Sequence, residues 1–196
     1  VVSGGGTTTT FNPSNKSTHI TLSGGNLIAT SGSGSGNATA VTSIASHSTG
    51  QYYAEFTLTN SASGGGNDGV GLCNSSFVPD GGSFLGNNAN SLAVYGDSSA
   101  FNCSGVIIPT YTTGDIISMA VDLGAGLVWF RKNAGDWNTH PTGDPATGVG
   151  GGVIGTPPIT GAIFAAVEGE ANGDVWTANF GGSSYVHSVP SGYSNW

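Results

Sequence analysis

Apolar and polar residues alternate along this chain in short runs bounded by Gly, Asn, Ser and Asp. The clearest run is 51–59. There Tyr52, Ala54, Phe56 and Leu58 fall on one face, and Tyr53, Glu55, Thr57 and Thr59 on the other. Successive side chains of a strand point to opposite faces, so this pattern predicts a strand half-buried against a second sheet. Further strands are predicted at 18–22, 26–29, 40–46, 69–73, 92–95 and 100–103, with a turn at 96–99. Residues 114–132 predict a hairpin: Ile117, Met119, Val121 and Leu123 share a face, Gly124, Ala125 and Gly126 turn the chain, and 127–131 returns it. A second late pair is expected from 162–167 and 174–180, joined across 168–173. Many short strands with no helix between them imply an all-β, antiparallel two-sheet sandwich. The segment 138–160 lacks strand periodicity and carries four Gly between 148 and 152, so it is expected to be a long surface loop.

Composition supports the same class. Of 196 residues, 35 are Gly, only 7% are charged, and straight-chain helix formers are scarce. Residues 1–10, with three Gly followed by four Thr, read as a flexible linker, and 11–196 as one domain. The chain opens on Val1, which is expected to be a trimmed or internal start of a longer polypeptide. Eleven acids against three bases give a net charge of −8. Phosphate binding requires a basic stripe, so nucleic acid is not expected as a partner and an anionic membrane surface is disfavoured. No apolar run approaches the length that spans a bilayer.

Reactive chemistry finds little support. The four His (19, 47, 140, 187) are dispersed, and no Gly-x-Ser-x-Gly elbow lies between a strand and a helix. No His or Cys stand at metal-ligand spacing, and no phosphate loop ends in Lys-Ser/Thr, so no metal or cofactor is expected. Asn67-Asp68-Gly69 and Asp80-Gly81-Gly82 read as turns, with Ca²⁺ ligation the alternative. Glu168 and Glu170 lie two apart beside Gly169 and Gly173 and are expected to be solvated turn acids; a glycan hydrolase built on them is the competing reading. Glu55 is expected to face solvent or one of the few cations. Cys73 and Cys103 are expected two strands apart, as reduced thiols, with a bridge at the strand ends the alternative.

Several motifs resemble the SPRY family of concanavalin-A-like sandwiches. Residues 51–56 (Gln-Tyr-Tyr-Ala-Glu-Phe) are similar to its Tyr-Tyr-x-Glu strand, and Val70-Gly71-Leu72 to its Val-Gly-hydrophobic strand. The best match joins Gly114-Asp115-Ile116-Ile117, Val121-Asp122-Leu123, Leu127-Val128-Trp129-Phe130 and Asn133, and Ala178-Asn179-Phe180-Gly181 resembles the closing Asn-Phe-Gly strand. Ala134 departs from the family's usual Gly. The longer Gly135-Asp136-Trp137-Asn138 stretch, leading to the loop at 144–148, resembles SPRY-like modules of bacteriophage and prophage virion proteins. The resemblance implies a jelly-roll sandwich, and a binding or structural module with no catalytic constellation.

The expectation is therefore a non-enzymatic fibre, spike or decoration module on the surface of a virion or in the extracellular space. Its partners would be virion proteins, copies of itself, or a host-surface glycan. A purely structural assembly module is the alternative. Trp137, flanked by Asp136 and Asn138, is the candidate sugar platform, because an indole ring stacks on the apolar face of a pyranose. Tyr95, Asp97 and His140 are candidates for the same rim, and core packing is the competing role for Trp137.

Overall fold

The structure is a computed structural model that describes residues 8–33, 39–62, 64 and 66–196. Two sheets stack face to face. The first has six strands in the order β1-β4-β12-β6-β7-β8; the second has eight, in the order β11-β10-β9-β5-β13-β3-β2, with β14 beside β5. In chain order the strands are β1 Phe11–Lys16, β2 Ile20–Ser23, β3 Ile28–Ser31, β4 Ala40–His47, β5 Gln51–Asn60, β6 Gly69–Asn74 and β7 Ser91–Tyr95. They continue with β8 Ala100–Phe101, β9 Ile116–Asp122, β10 Leu127–Lys132, β11 Gly152–Val153, β12 Ile163–Glu168, β13 Val175–Asn179 and β14 Ser194–Asn195. Every pairing is antiparallel except β14 with β5.

The predicted strands all form, and the alternation assigns their faces. Ala54, Phe56, Leu58, Ile117, Met119 and Val121 of the second sheet meet Val70, Leu72, Leu92, Val94, Ala165 and Val167 of the first in one buried interior. The expected hairpin β9–β10 forms, with Asp122 facing Leu127. Its open end is clasped by two motif residues: Asn133 accepts from the Ile116 amide and donates to the Asp115 carboxylate. Burial alone would raise the Asp115 pKa, but the Thr112 amide, Asn133 and Lys132 outweigh it and hold the carboxyl below its usual value.

The expected late pair does not form. β12 joins the six-stranded sheet between β4 and β6, whereas β13 joins the eight-stranded sheet between β5 and β3. The 168–173 segment crosses from one sheet to the other. Alternation records which residues are buried but not the strand they are buried beside, and both strands have an inward apolar face that fits either sheet. β1 carries no apolar alternation and contains Pro13. It lies at a sheet edge, where a missing amide donor is tolerated.

Residues 1–7 of the expected linker lie outside the described residues. Thr8–Thr10, also read as linker, run along the β4 edge: Ala45 N donates to Thr9 Oγ1 and Ile44 N to the Thr10 carbonyl. Cys73 and Cys103 are both free thiols. Cys73 faces outward from the six-stranded sheet and Cys103 faces the interior, and burial pushes each thiol up to about 12.

Candidate functional site

Both sheets carry a second apolar layer on their outer faces. On the eight-stranded sheet Tyr53, Ala120 and Trp129 point outward and are covered by Trp137, Tyr185, Val189 and Tyr193. On the six-stranded sheet Ala40, Cys73, Ala93, Tyr95 and Ala166 point outward and are covered by Phe77, Phe84 and Leu85.

The first of these faces is closed, and it contains four of the residues proposed for a sugar site. Trp137 and Asn138 open a short 3-10 turn, Trp137–Thr139, and are 7% and 4% exposed. One face of the Trp137 ring carries the Arg131 guanidinium, 4.3 Å from its centroid, and Tyr53 makes a T-shaped contact with the ring. A stacking platform needs a bare ring face, and Trp137 has none to offer. Asn138, in the left-handed region at φ 49°, extends the sheet with its side chain: it accepts from Phe130 N and donates to the Val128 and Gly150 carbonyls. The loop beyond it packs on Trp129, whose indole N–H donates to the Val149 carbonyl. A Cβ on Gly151 would lie 2.6 Å from that ring, which explains one of the clustered glycines. Asp136 and His140 remain exposed at the margin of this plug.

Glu55 belongs to the same closed face. It was expected in solvent or beside a cation, but it is buried and accepts from Tyr53 Oη, Val186 N and His187 N, which fastens the C-terminal segment across the sheet. Burial, the largest influence, pushes the Tyr53 phenol up to about 12.

The second face has an opening. Glu168, Gly69 and Tyr95 stand in one register row across β12, β6 and β7, all on the outward side. The middle residue has no side chain, so the outer two reach each other over it: Tyr95 Oη lies 3.1 Å from Glu168 Oε2. A Cβ at position 69 would come within 2.8 Å of the Tyr95 ring. Glu168 also accepts from Leu85 N, and Tyr95 Oη lies 2.8 Å from the Leu85 carbonyl, which clamps the 84–86 segment over the row. Beside this floor, Phe84, Tyr95 and Phe101 pack edge to face at centroid distances of 4.9 to 6.0 Å. Glu170, held by the Asn67 amide, and Asp97 close the rim of a cavity of about 120 Å³.

Glu168 is therefore no solvated turn acid: it is 2% exposed and anchors the pocket floor. Sequence patterning missed Phe84, Phe101 and the role of Gly69, although a glycine inside a strand is itself a signal of close approach from a neighbour. Tyr95 and Asp97 line this pocket, on the opposite outer face from Trp137, so the six residues proposed for one rim divide between two sides of the sandwich.

A glycoside-cleaving site needs an acid and a second carboxylate on either side of a bound sugar. Glu168 and Glu170 share this pocket, yet its volume is well below the roughly 300 Å³ at which small-molecule sites begin. Among the described residues no three His, Cys, Asp or Glu side chains converge on a metal position, and no helix is long and apolar enough to cross a membrane. Asp80, proposed as a turn or Ca²⁺ ligand, accepts from Thr18 N.

No family model matches the sequence, and no curated protein does. Solved structures do match the fold. The SPRY domain of human HERC1 superposes with a TM-score of 0.62 at 15% identity, covering 86% of this chain and 96% of that one. The PSpry domain of TRIM65 gives 0.58 at 16% identity, covering 88% and 92%. Stonustoxin gives 0.55 at 19% identity, covering 88% of this chain and 27% of the longer toxin chain. With its sheets, register and motif residues in these positions, the chain has the fold of a SPRY β-sandwich.

Proposed function

We propose that this domain is a non-enzymatic recognition module that binds a protein partner through the pocket face of its six-stranded sheet. The observation that carries the reading is the contrast in covering: the chain's own C-terminal segment seals one outer face, while the other keeps an opening ringed by Phe84, Phe101, Asp97 and Glu170. Half-exposed aromatic rings beside fixed polar groups are the usual make-up of an interface anchor point. The SPRY fold, a scaffold known chiefly for protein–protein contacts, is consistent with it. Display on a virion or other extracellular surface rests on the sequence resemblance and on the low-charge, Gly-rich composition. Burial of Trp137 removes the residue that motivated a host-glycan ligand.

A random peptide library selected against the whole domain tests the reading. Selected binders are expected to lose affinity on Phe101→Ala and to keep it on Val153→Ala, a substitution at an exposed position of the other sheet. Binders indifferent to Phe101→Ala would overturn the pocket face as the recognition surface.

A further inference from the structure

Taking the pocket as the recognition site, we propose that it receives the guanidinium of an arginine side chain from the protein partner. Its charge is the first argument. Glu168, Glu170 and Asp97 line it, and the three basic residues of the chain are all engaged elsewhere. Lys16 donates to the Ser17 and Ile20 carbonyls. Arg131 donates to the Ser188 carbonyl and covers Trp137; Lys132 lines the adjoining depression that shares Asp97, but it pairs with Asp115 at 3.0 Å. On the floor of the site burial first, and then Glu168 with Asp97 acting in the same direction, pushes the Tyr95 phenol far above its usual pKa.

Open acceptors are the second argument. Asp97 uses Oδ1 for the Ser99 amide and Glu170 uses Oε2 for Asn67; among the described residues the other oxygen of each carboxylate has no hydrogen-bond donor and is open to a ligand. The rings are the third. A guanidinium is planar, weakly hydrated and able to lie against an aromatic ring while its N–H groups reach carboxylates at the edge; an ammonium keeps its water more strongly and has no flat face. Phe84 and Phe101 supply the ring surface and Glu170 and Asp97 the acceptors at the rim. The cavity of about 120 Å³ is of a size for the end of one side chain.

The test uses the isotopically labelled domain and an acetylated, amidated Gly-Arg-Gly peptide, raised to about 10 mM while amide resonances are followed. Shifts are expected at 66–67, 84–86, 95–97 and 168–170, with weaker binding when Lys replaces Arg and none when Gln does. The double substitution Asp97→Asn, Glu170→Gln is expected to weaken the Arg peptide about three- to tenfold. Asp136→Asn removes a charge on the opposite face and is expected to leave affinity unchanged. An unchanged melting temperature certifies that each variant is folded. Equal binding of the Gln peptide, or Arg binding indifferent to the double substitution, would overturn the proposal. Library binders that depend on Phe101 yet contain no Arg would sink the arginine assignment and leave the recognition reading intact. Absence of any Phe101-dependent binder would sink the reading itself.

Discussion

The two outer faces of this sandwich begin alike and finish differently. Each presents outward aromatic and small residues from its central strands, and each is roofed by loop segments. Over the eight-stranded sheet the roof is dense: Trp137 fills the space above Tyr53 and Trp129, and Glu55 ties down the 186–187 backbone. Over the six-stranded sheet the roof stops at Leu85 and Phe84, and a glycine in the row beneath leaves a depression floored by a carboxylate and a phenol. The difference lies in where the polar groups point. On the closed face backbone groups and the Tyr53 hydroxyl occupy Glu55, and backbone groups occupy Asn138; on the open face Glu170 and Asp97 each have a carboxylate oxygen with no donor among the described residues. A buried polar group that is fully satisfied stabilises its surroundings, whereas a rim group with spare lone pairs can still contribute to binding.

The largest effect is expected from Trp137→Ala. Emptying the plug over Tyr53 and Trp129 should cost about 3–5 kcal/mol in chemical denaturation and leave peptide binding at the pocket intact in whatever fraction remains folded. A stability loss below about 1 kcal/mol would mean that this face is less well packed than the contacts imply. Gly69→Ala comes next. Its Cβ would press on the Tyr95 ring, so a loss of about 1–3 kcal/mol is expected together with loss of pocket binding, which separates the two faces in the opposite sense.

The third effect, the smallest per step, is a pH slope of at most about 1.4 kcal/mol per unit, spread over several units. Asp68 is fully buried at the start of β6, and its carboxylate oxygens have no hydrogen-bond partner among the described residues. Burial first, then the Asp174 and Glu170 charges, raises it to about 7 against a relieving influence from Ser61. Between about pH 4 and 7 the folded protein holds a proton that the unfolded chain has released. Stability should therefore fall as pH rises through that window and level off above it. Melting temperatures across that range, compared with Asp68→Asn, check this: the variant should show a flatter profile, and identical slopes would remove Asp68 as the cause.

Much of this molecule could be read before its structure. Period-two alternation located the strands because one face of each must leave water, and the 114–132 hairpin declared itself through a short Gly-containing turn between two such runs. The Asp115 and Asn133 motif positions mattered because they clasp that hairpin's open end. The β12–β13 connection was misread because adjacency in sequence is a poor guide once a chain can cross between layers. Trp137 kept two roles open in the sequence, sugar platform and core packing, because a Trp between Asp and Asn looks the same whether its ring meets solvent or an arginine.

The amino-acid sequence by itself determined the class of fold, the positions of most strands, and the absence of any basic surface, since each of these follows from local pattern or summed charge. Tertiary structure alone decided which sheet each strand joined, that Trp137 and Tyr95 face away from each other, and that Glu168, Gly69 and Tyr95 line up across three strands. Those residues are separated by up to a hundred positions in the chain. Only the hydrogen-bond register between strands brings them together, and register is a property of paired backbones.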